Sequence, residues 1–231
     1  HGAPGVRHVV PVSARLARAG EQLHRLVRRT GRDRLREPRD DLISTLVHAD
    51  VDGERLTPRE VATLFILLVL AGSETTRATI THALLLLTAH PGQREHLLAD
   101  VGGRIGGAVE EVVRHASPVL QFRRTATADG ELGGTPVRAG DKLLLFYTSA
   151  NRDEAVFTDP DRFDITRSPN PHLGFGGPGP HHCLGAALAR TESTILLTEL
   201  LTRAPTIRAV GEPDRLLSDF VNGVKRQAYA L

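Results

Sequence analysis

Most of the chain carries apolar positions at helical spacing. Over Val9–Arg29, Val12, Leu16, Leu23, Leu26 and Val27 recur with arginines between them, which predicts an amphipathic helix. Pro38 predicts the start of a short second helix ending near His48, with Asp40 and Asp41 suited to its positive end. Thr57-Pro58-Arg59-Glu60 reads as a capping box with proline in the first turn, and the helical pattern it opens runs to about His90, where Pro91 stops it. Such a helix is on the order of 50 Å long. Its middle, LFILLVLAG, is apolar on every side, so it is expected to be buried. Helical signals return over Ile105–His115 and over Leu184–Arg203.

Between and after these helices the period shortens. Ser117-Pro118 ends one helix and Val119–Thr127 reads as extended. Strand and turn signals follow around Thr125–Thr127, Gly133-Gly134, Val137, Ala139-Gly140 and Lys142–Tyr147. Asn151–Phe163 reads as a loop with one helical turn, and Leu216–Leu231 as a hairpin turning near Asn222-Gly223. The expected class is mainly α with small β regions, in one domain over 1–231.

Composition narrows the field. The net charge is +2, which argues against a dedicated nucleic-acid binder. Lys142 and Lys225 are the only lysines, an arginine bias expected of a GC-rich bacterial genome. The basic run Arg25–Arg39 reads first as a solvated helix end and loop, and second as a surface for an acidic redox partner. A single cysteine excludes an internal disulfide and fits a reducing cytosol, hence a cytoplasmic location. The longest uninterrupted apolar run, Leu64–Ala71, falls short of the ~20 residues that span a bilayer, so no membrane span is expected. With no methionine in the chain, His1 is not a natural start, and the sequence is expected to be a fragment.

The densest candidate chemistry lies in His172–Arg190. Four glycines and two prolines between Gly174 and Pro180 forbid a helix or regular ladder and let the backbone approach a flat partner closely. Cys183 follows at the mouth of an apolar helix, where unpaired N–H groups favour a thiolate able to ligate a metal. The plain alternative is a buried structural cysteine. Two other readings fail on context. Gly174, Gly176 and Gly179 match GxGxxG, but no apolar strand leads directly into them, and Pro178 and Pro180 interrupt the place where a helix should begin. His181, His182 and Cys183 are too close together to converge on one tetrahedral zinc, and no second Cys/His pair stands at finger spacing.

Two more segments carry polar groups in telling places. Ala71-Gly72-Ser73-Glu74-Thr75-Thr76 follows the apolar middle of the long helix, where a carboxylate and a hydroxyl would be expensive to bury without partners. Glu111 and Arg114 lie three apart on one helix face, a pattern with little meaning in isolation.

Together and in this order, these segments resemble the cytochrome P450 family. Gly179, His181, Cys183 and Gly185 match the haem-binding loop, with the aromatic at Phe175 rather than one residue later at Gly176, where the commonest form has it. The resemblance implies haem b, iron protoporphyrin IX, with Cys183 as the iron ligand and with Ala71, Arg124, Phe175, Gly176, His181 and Gly185 as further cofactor-binding residues. Arg124 and His181 would pair with the propionates. Glu74 and Thr75 match the AGxET motif and would deliver protons during dioxygen activation. Glu111, Arg114 and Arg162 would form a structural network beneath the cofactor.

The implied fold is the P450 fold without its N-terminal part. The implied function is monooxygenation of an apolar substrate, with electrons from a separate ferredoxin or flavoprotein. The long glycine run, SPVLQFRRTAT and FVNGVK look most like the bacterial subgroup that oxidises steroids and branched lipids. Val69, Leu70, Val119, Leu120, Phe122 and Phe220 would line a substrate pocket or pack the core. The alternatives are a haem protein without turnover, such as a sensor, and a peroxide-driven haem enzyme. Either would tolerate loss of the Glu74–Thr75 pair.

Overall fold

The computed structural model describes residues 12–231. Residues 9–11 of the first predicted helix lie outside them. Helix α1 spans Val12–Arg36 and so runs past the predicted end at Arg29. Helix α2 (Leu42–His48) starts later than Pro38, because Asp41 is its N-cap and its carboxylate accepts the Ser44 N–H at 2.8 Å. A short ribbon, β1 (Asp50–Val51) with β2 (Glu54–Arg55), leads to α3 (Pro58–Ala89). The capping box that opens α3 is reciprocal: Thr57 N–H donates to Glu60 Oε2 at 2.8 Å, and Glu60 N–H donates to Thr57 Oγ1 at 3.3 Å.

The chain divides into two compact units within α3, between Ala71 and Gly72. In the first, Val27, Val61 and Ala62 are buried, with Ile43, Leu46, Val47 and Phe65 packed against them. Part of the basic run is used here: Arg34 reaches Asp41, which fastens the end of α1 to the cap of α2. The middle of α3 departs from expectation. Leu67 and Leu70 are 59% and 60% exposed and Val69 is 40% exposed, so the all-round apolar stretch is not buried among the described residues. By length and composition alone α3 could cross a membrane, a test that the central helices of folded domains also pass.

The second unit holds the main core. Pro91 starts a new helix, α4 (Pro91–Leu98), which the apolar pattern had not marked. Asp100 caps α5 (Val101–Ala116), which therefore begins four residues before the predicted Ile105. Ala83, Leu84 and Leu87 of α3, Leu97 of α4, and Ile105, Ala108, Val109 and Val112 of α5 form one buried cluster. Phe163, Ile165, Leu197, Leu201 and Ile207 complete it. Leu197 and Leu201 belong to α7 (Ala186–Arg203), which lies along α5. Ser117 ends α5 in the left-handed region, at φ 43°.

The β elements are two-stranded antiparallel ribbons. Strand β3 (Gln121–Thr125) pairs with β6 (Lys142–Phe146), and β4 (Gly130–Leu132) with β5 (Thr135–Val137). Gly133 and Gly134, at φ 55° and 79°, make the second turn. A single helical turn, α6 (Tyr147–Ala150), follows β6 just before the loop predicted to contain one.

The terminal hairpin is longer than predicted. Strand β7 (Arg208–Arg215) pairs with β8 (Val224–Ala230), and Asn222-Gly223 stands at the end of an extended connection rather than in a tight turn. The reason is tertiary. Asn222 N–H donates to Pro118 O at 3.0 Å, its Nδ2 donates to Ala116 O, and its carbonyl oxygen meets His82 Nε2 at 2.9 Å.

Leu197 is 2% exposed within this core. Leu197→Ala is expected to cost about 2–5 kcal/mol of unfolding free energy, checked by urea titration against the unchanged chain.

Candidate functional site

The glycine loop is held by backbone bonds before any side chain is considered. Gly176 N–H donates to Leu173 O at 2.8 Å, and His182 N–H to Gly179 O at 3.1 Å. The Cys183 N–H donates to Phe175 O at 2.8 Å. Gly176 and Gly179 sit at φ 85° and 130°, which side-chain-bearing residues rarely adopt. Behind the loop, a Cβ on Gly174 would stand 2.4 Å from Val113 Cγ1, so the loop lies directly on α5. Gly176 lies against the His181 backbone, where a Cβ would be 3.5 Å from its carbonyl oxygen. Gly185 is the N-cap of α7.

Cys183 is a free, exposed thiol. Beside it Leu184 and Leu188 are 86% and 62% exposed, and an added Cβ at Gly177, Gly179 or Gly185 would meet nothing within 4 Å. A soft sulfur ligand beside apolar side chains and open glycine backbone fits a flat macrocycle bound through iron. His181 is exposed, and Phe175 is half-buried in the loop. Arg124, on β3, is exposed; its Nη1 donates to Arg123 O at 3.1 Å and its guanidinium lies 5.6 Å from the Phe122 ring centroid.

Beneath the loop, Glu111 and Arg114 are fully buried and joined bidentately, Nε to Oε2 at 2.8 Å and Nη2 to Oε1 at 2.7 Å. Arg114 also donates to the carbonyls of Asn151 (2.8 Å), Pro160 (2.7 Å) and Arg162 (3.0 Å). Arg162 enters only through that carbonyl. Its side chain is 62% exposed and stands 3.7 Å from Asp164. The second guanidinium at Glu111 is that of Arg167, 3.3 Å from Oε2 and 11% exposed, which stands where Arg162 was expected.

The reason is the direction of the chain. The turns at 159–167 point the Arg162 carbonyl inward, while Arg167 donates to the carbonyls of Thr158, Asp159 and Arg162 on its way to Glu111. Asn151 extends the cluster to the loop, since its Oδ1 accepts the Leu173 N–H at 2.7 Å and its Nδ2 donates to Ser117 Oγ at 2.9 Å.

On α3, Glu74 is 51% exposed rather than buried, and is paired with Arg77 at 2.6 Å. Arg77 also donates to Val224 O at 2.9 Å, which ties this part of α3 to β8. Thr75 is half-buried and Thr76 is buried; Ala71 is exposed.

Sequence reasoning passed over Glu110, whose carboxylate meets His172 Nε2 at 2.9 Å, Arg190 Nε at 2.6 Å and Arg190 Nη2 at 3.0 Å. Burial alone would push this carboxyl up, but the hydrogen bonds from His172 and Arg190, with the charge of Arg190, outweigh it and hold it at about 2. The available signal was a second glutamate beside Glu111 with an arginine just inside the helix after Cys183. Neither stands out without the fold.

Comparisons with known proteins place the chain in a family. The cytochrome P450 family model matches residues 13–204. The chain belongs to the cytochrome P450 family. It is 56% identical over 193 residues to a methyl-branched lipid omega-hydroxylase of Mycobacterium tuberculosis, covering 84% of this chain and 45% of the relative. It is 44% identical over 193 residues to a steroid C26-monooxygenase of Rhodococcus jostii, covering 84% of this chain and 40% of the relative.

Among solved structures it is similar to a Mycobacterium marinum cytochrome P450 in complex with pseudoionone. The TM-score is 0.87 at 49% identity, over 91% of this chain and 51% of that one. A Bacillus megaterium cytochrome P450 in complex with testosterone gives 0.86 at 35%, over 92% and 59%. The chain thus spans less than half the length of the curated relatives it matches, and its fold is that of a partial P450.

Two outcomes are expected. Arg167→Ala should cost on the order of 2–4 kcal/mol by leaving a buried carboxylate short of a partner, whereas Arg162→Ala should cost less than about 0.5 kcal/mol; thermal melts of the two compare them. The Glu110 carboxyl is depressed from its ordinary 4.5, so its stabilisation is present above about 4.5 and is lost as pH falls toward about 2. That loss should amount to roughly 1–3 kcal/mol after allowing for partial exposure, and Glu110→Gln should lack it when urea midpoints at about pH 6 and about pH 3 are compared.

Proposed function

We propose that this chain carries the haem-thiolate part of a monooxygenase that inserts one atom of dioxygen into a C–H bond of an apolar substrate, a branched lipid or a steroid. The carrying observation is the free, exposed Cys183 thiol on a glycine loop, its N–H fixed to the Phe175 carbonyl, beside the exposed Leu184 and Leu188. Bound there, iron protoporphyrin IX supplies the redox chemistry of dioxygen activation. The protein's part is to hold, shield and protonate.

Cys183 would give its sulfur as the iron ligand, and the preceding glycines would let the backbone approach without Cβ clashes. Leu184 and Leu188 would exclude water from the ligand side. Phe175, Gly176 and Gly185 would shape the loop against the ring, with Ala71 as a further contact from α3. Arg124 and His181 would take the propionates; Arg124 can turn away from Phe122 at little cost, because it is exposed.

Thr75 would hold the proton donor, and Glu74 would pass protons inward from solvent. A half-exposed carboxylate suits that task. Its pair with Arg77 is a surface contact worth about 0–1 kcal/mol, so releasing the carboxylate to accept and hand on a proton costs little. The buried Glu111, Arg114 and Arg167 would support the loop without touching substrate.

Electrons would come from a separate ferredoxin or flavoprotein; the single cysteine of this chain cannot itself hold an iron–sulfur cluster. The named activities of the lipid hydroxylase and the steroid monooxygenase support the substrate class. In this reading α3 is the central helix of a cytoplasmic enzyme rather than a membrane span: Arg59, Glu60, Glu74 and Arg77 are distributed along it.

Thr75→Ala in the haem-loaded enzyme is expected to divert electrons to hydrogen peroxide and to lower product per electron pair by at least about tenfold, measured with a branched lipid or steroid substrate. Unchanged product yield would remove Thr75 from proton delivery. Cys183→Ser should abolish the thiolate-type Soret band of the reduced carbon monoxide complex; retention of that band would overturn the ligand assignment.

A further inference from the structure

The contacts of Glu110 join three separate elements around the loop that precedes Cys183. Glu110 stands on α5, one residue before Glu111 and so on a neighbouring face. His172 begins the loop, and its imidazole is 3% exposed. Its Nδ1 accepts the Gly174 N–H at 3.1 Å, which leaves Nε2–H to donate to the Glu110 carboxylate at 2.9 Å. Arg190, in the second turn of α7, grips the same carboxylate with two N–H groups. The face of its guanidinium covers Phe175, 4.3 Å from the ring centroid, and the His172 ring is tilted against Phe175 at 5.9 Å.

We infer that Glu110, His172 and Arg190 are positioning residues for the Cys183 sulfur: they hold Phe175, whose carbonyl oxygen accepts the Cys183 N–H, and so fix where the sulfur sits. No strand ladder or helix holds this stretch, whose backbone makes only turn bonds within the loop and one bond to Asn151. Both oxygens of one carboxylate are engaged, by one donor from the start of the loop and two from the helix after it. The loop therefore cannot shift toward or away from α5 without breaking a charge-assisted bond. The stacked guanidinium adds a lateral constraint that a lysine could not supply. The purpose assigned to the set rests on the haem-thiolate reading; the contacts themselves do not.

The test uses Glu110→Gln and Arg190→Lys in the haem-loaded protein, with two readouts. The first is amide hydrogen exchange resolved at Cys183, with Val112 of α5 as an internal reference. The second is the Soret band of the reduced carbon monoxide complex. Both variants are expected to exchange the Cys183 amide about tenfold faster than the unchanged chain with Val112 unaltered, and to show a new thiol-type component in the spectrum.

Exchange at Cys183 within about twofold of the unchanged chain would overturn the inference, and so would acceleration at Cys183 and Val112 alike, since that reports general loosening. Should the unchanged chain itself lack the thiolate band, the haem-thiolate reading fails instead, and the exchange comparison still decides the positioning role. Glu111→Gln, which removes the buried pair's charge, is expected to accelerate both amides and so marks the structural pattern that the Glu110 variant must not show.

Discussion

The Glu111–Arg114 pair is the contact on which the rest of the larger unit depends. Two charges with no solvent exposure survive only because almost every lone pair and proton they carry is used. Arg114 donates to three backbone carbonyls beyond its carboxylate. Glu111 also accepts the Asp164 N–H at 2.9 Å and Asn170 Nδ2 at 3.1 Å, and faces the Arg167 guanidinium. Desolvating such a pair costs several kcal/mol per ion, so its value lies less in net stability than in specificity. Any other path of residues 151–170 would leave a buried charge without partners. Apolar burial around Leu87, Leu97, Leu197 and Leu201 supplies the driving force, and the ion cluster selects the path.

That selection is transmitted to the thiol. Asn151, fully buried, connects the Arg114 cluster to Leu173 at the entry of the glycine loop. Val113, between the two ionic clusters on α5, presses against Gly174. A loop built of residues with almost no conformational preference of their own is thus given one conformation by a helix whose two adjacent glutamates each serve a different set of partners. Helix geometry makes the division possible, because neighbouring residues point about 100° apart. The flexible composition and the fixed geometry are compatible: glycine permits φ values near 85° and 130°, and the surrounding charges and contacts choose them.

Polarity and exposure are arranged differently on α3. Arg77 and His82 reach the terminal hairpin connection and strand, at Val224 O and Asn222 O, so the helix segment carrying Glu74 and Thr75 is anchored to the hairpin that also braces Pro118 and Ala116. Its apolar middle, in contrast, is exposed at Leu67, Val69 and Leu70. An all-round apolar helix is normally surrounded, and this stretch of sequence spans less than half the length of the relatives that share the fold.

By itself the sequence determined the helices with strong caps and unbroken period, because Thr57, Glu60, Pro91 and the spacing of apolar positions act over a few residues. It also determined the family, because glycines, His181 and Cys183 stand at fixed intervals that no propensity would produce. What only the tertiary structure decided were the identities joined across long separations: Arg167 in place of Arg162 at Glu111, Asn151 at the loop entry, and Glu110 with His172 and Arg190 behind Phe175. Exposure of the α3 middle and the long connection before β8 belong with these. An arginine's partner depends on which way a distant loop turns its carbonyls, and a hairpin's length depends on what Asn222 meets at Pro118 and His82. Neither leaves a trace in local periodicity, since the energy that decides them comes from groups dozens of residues away.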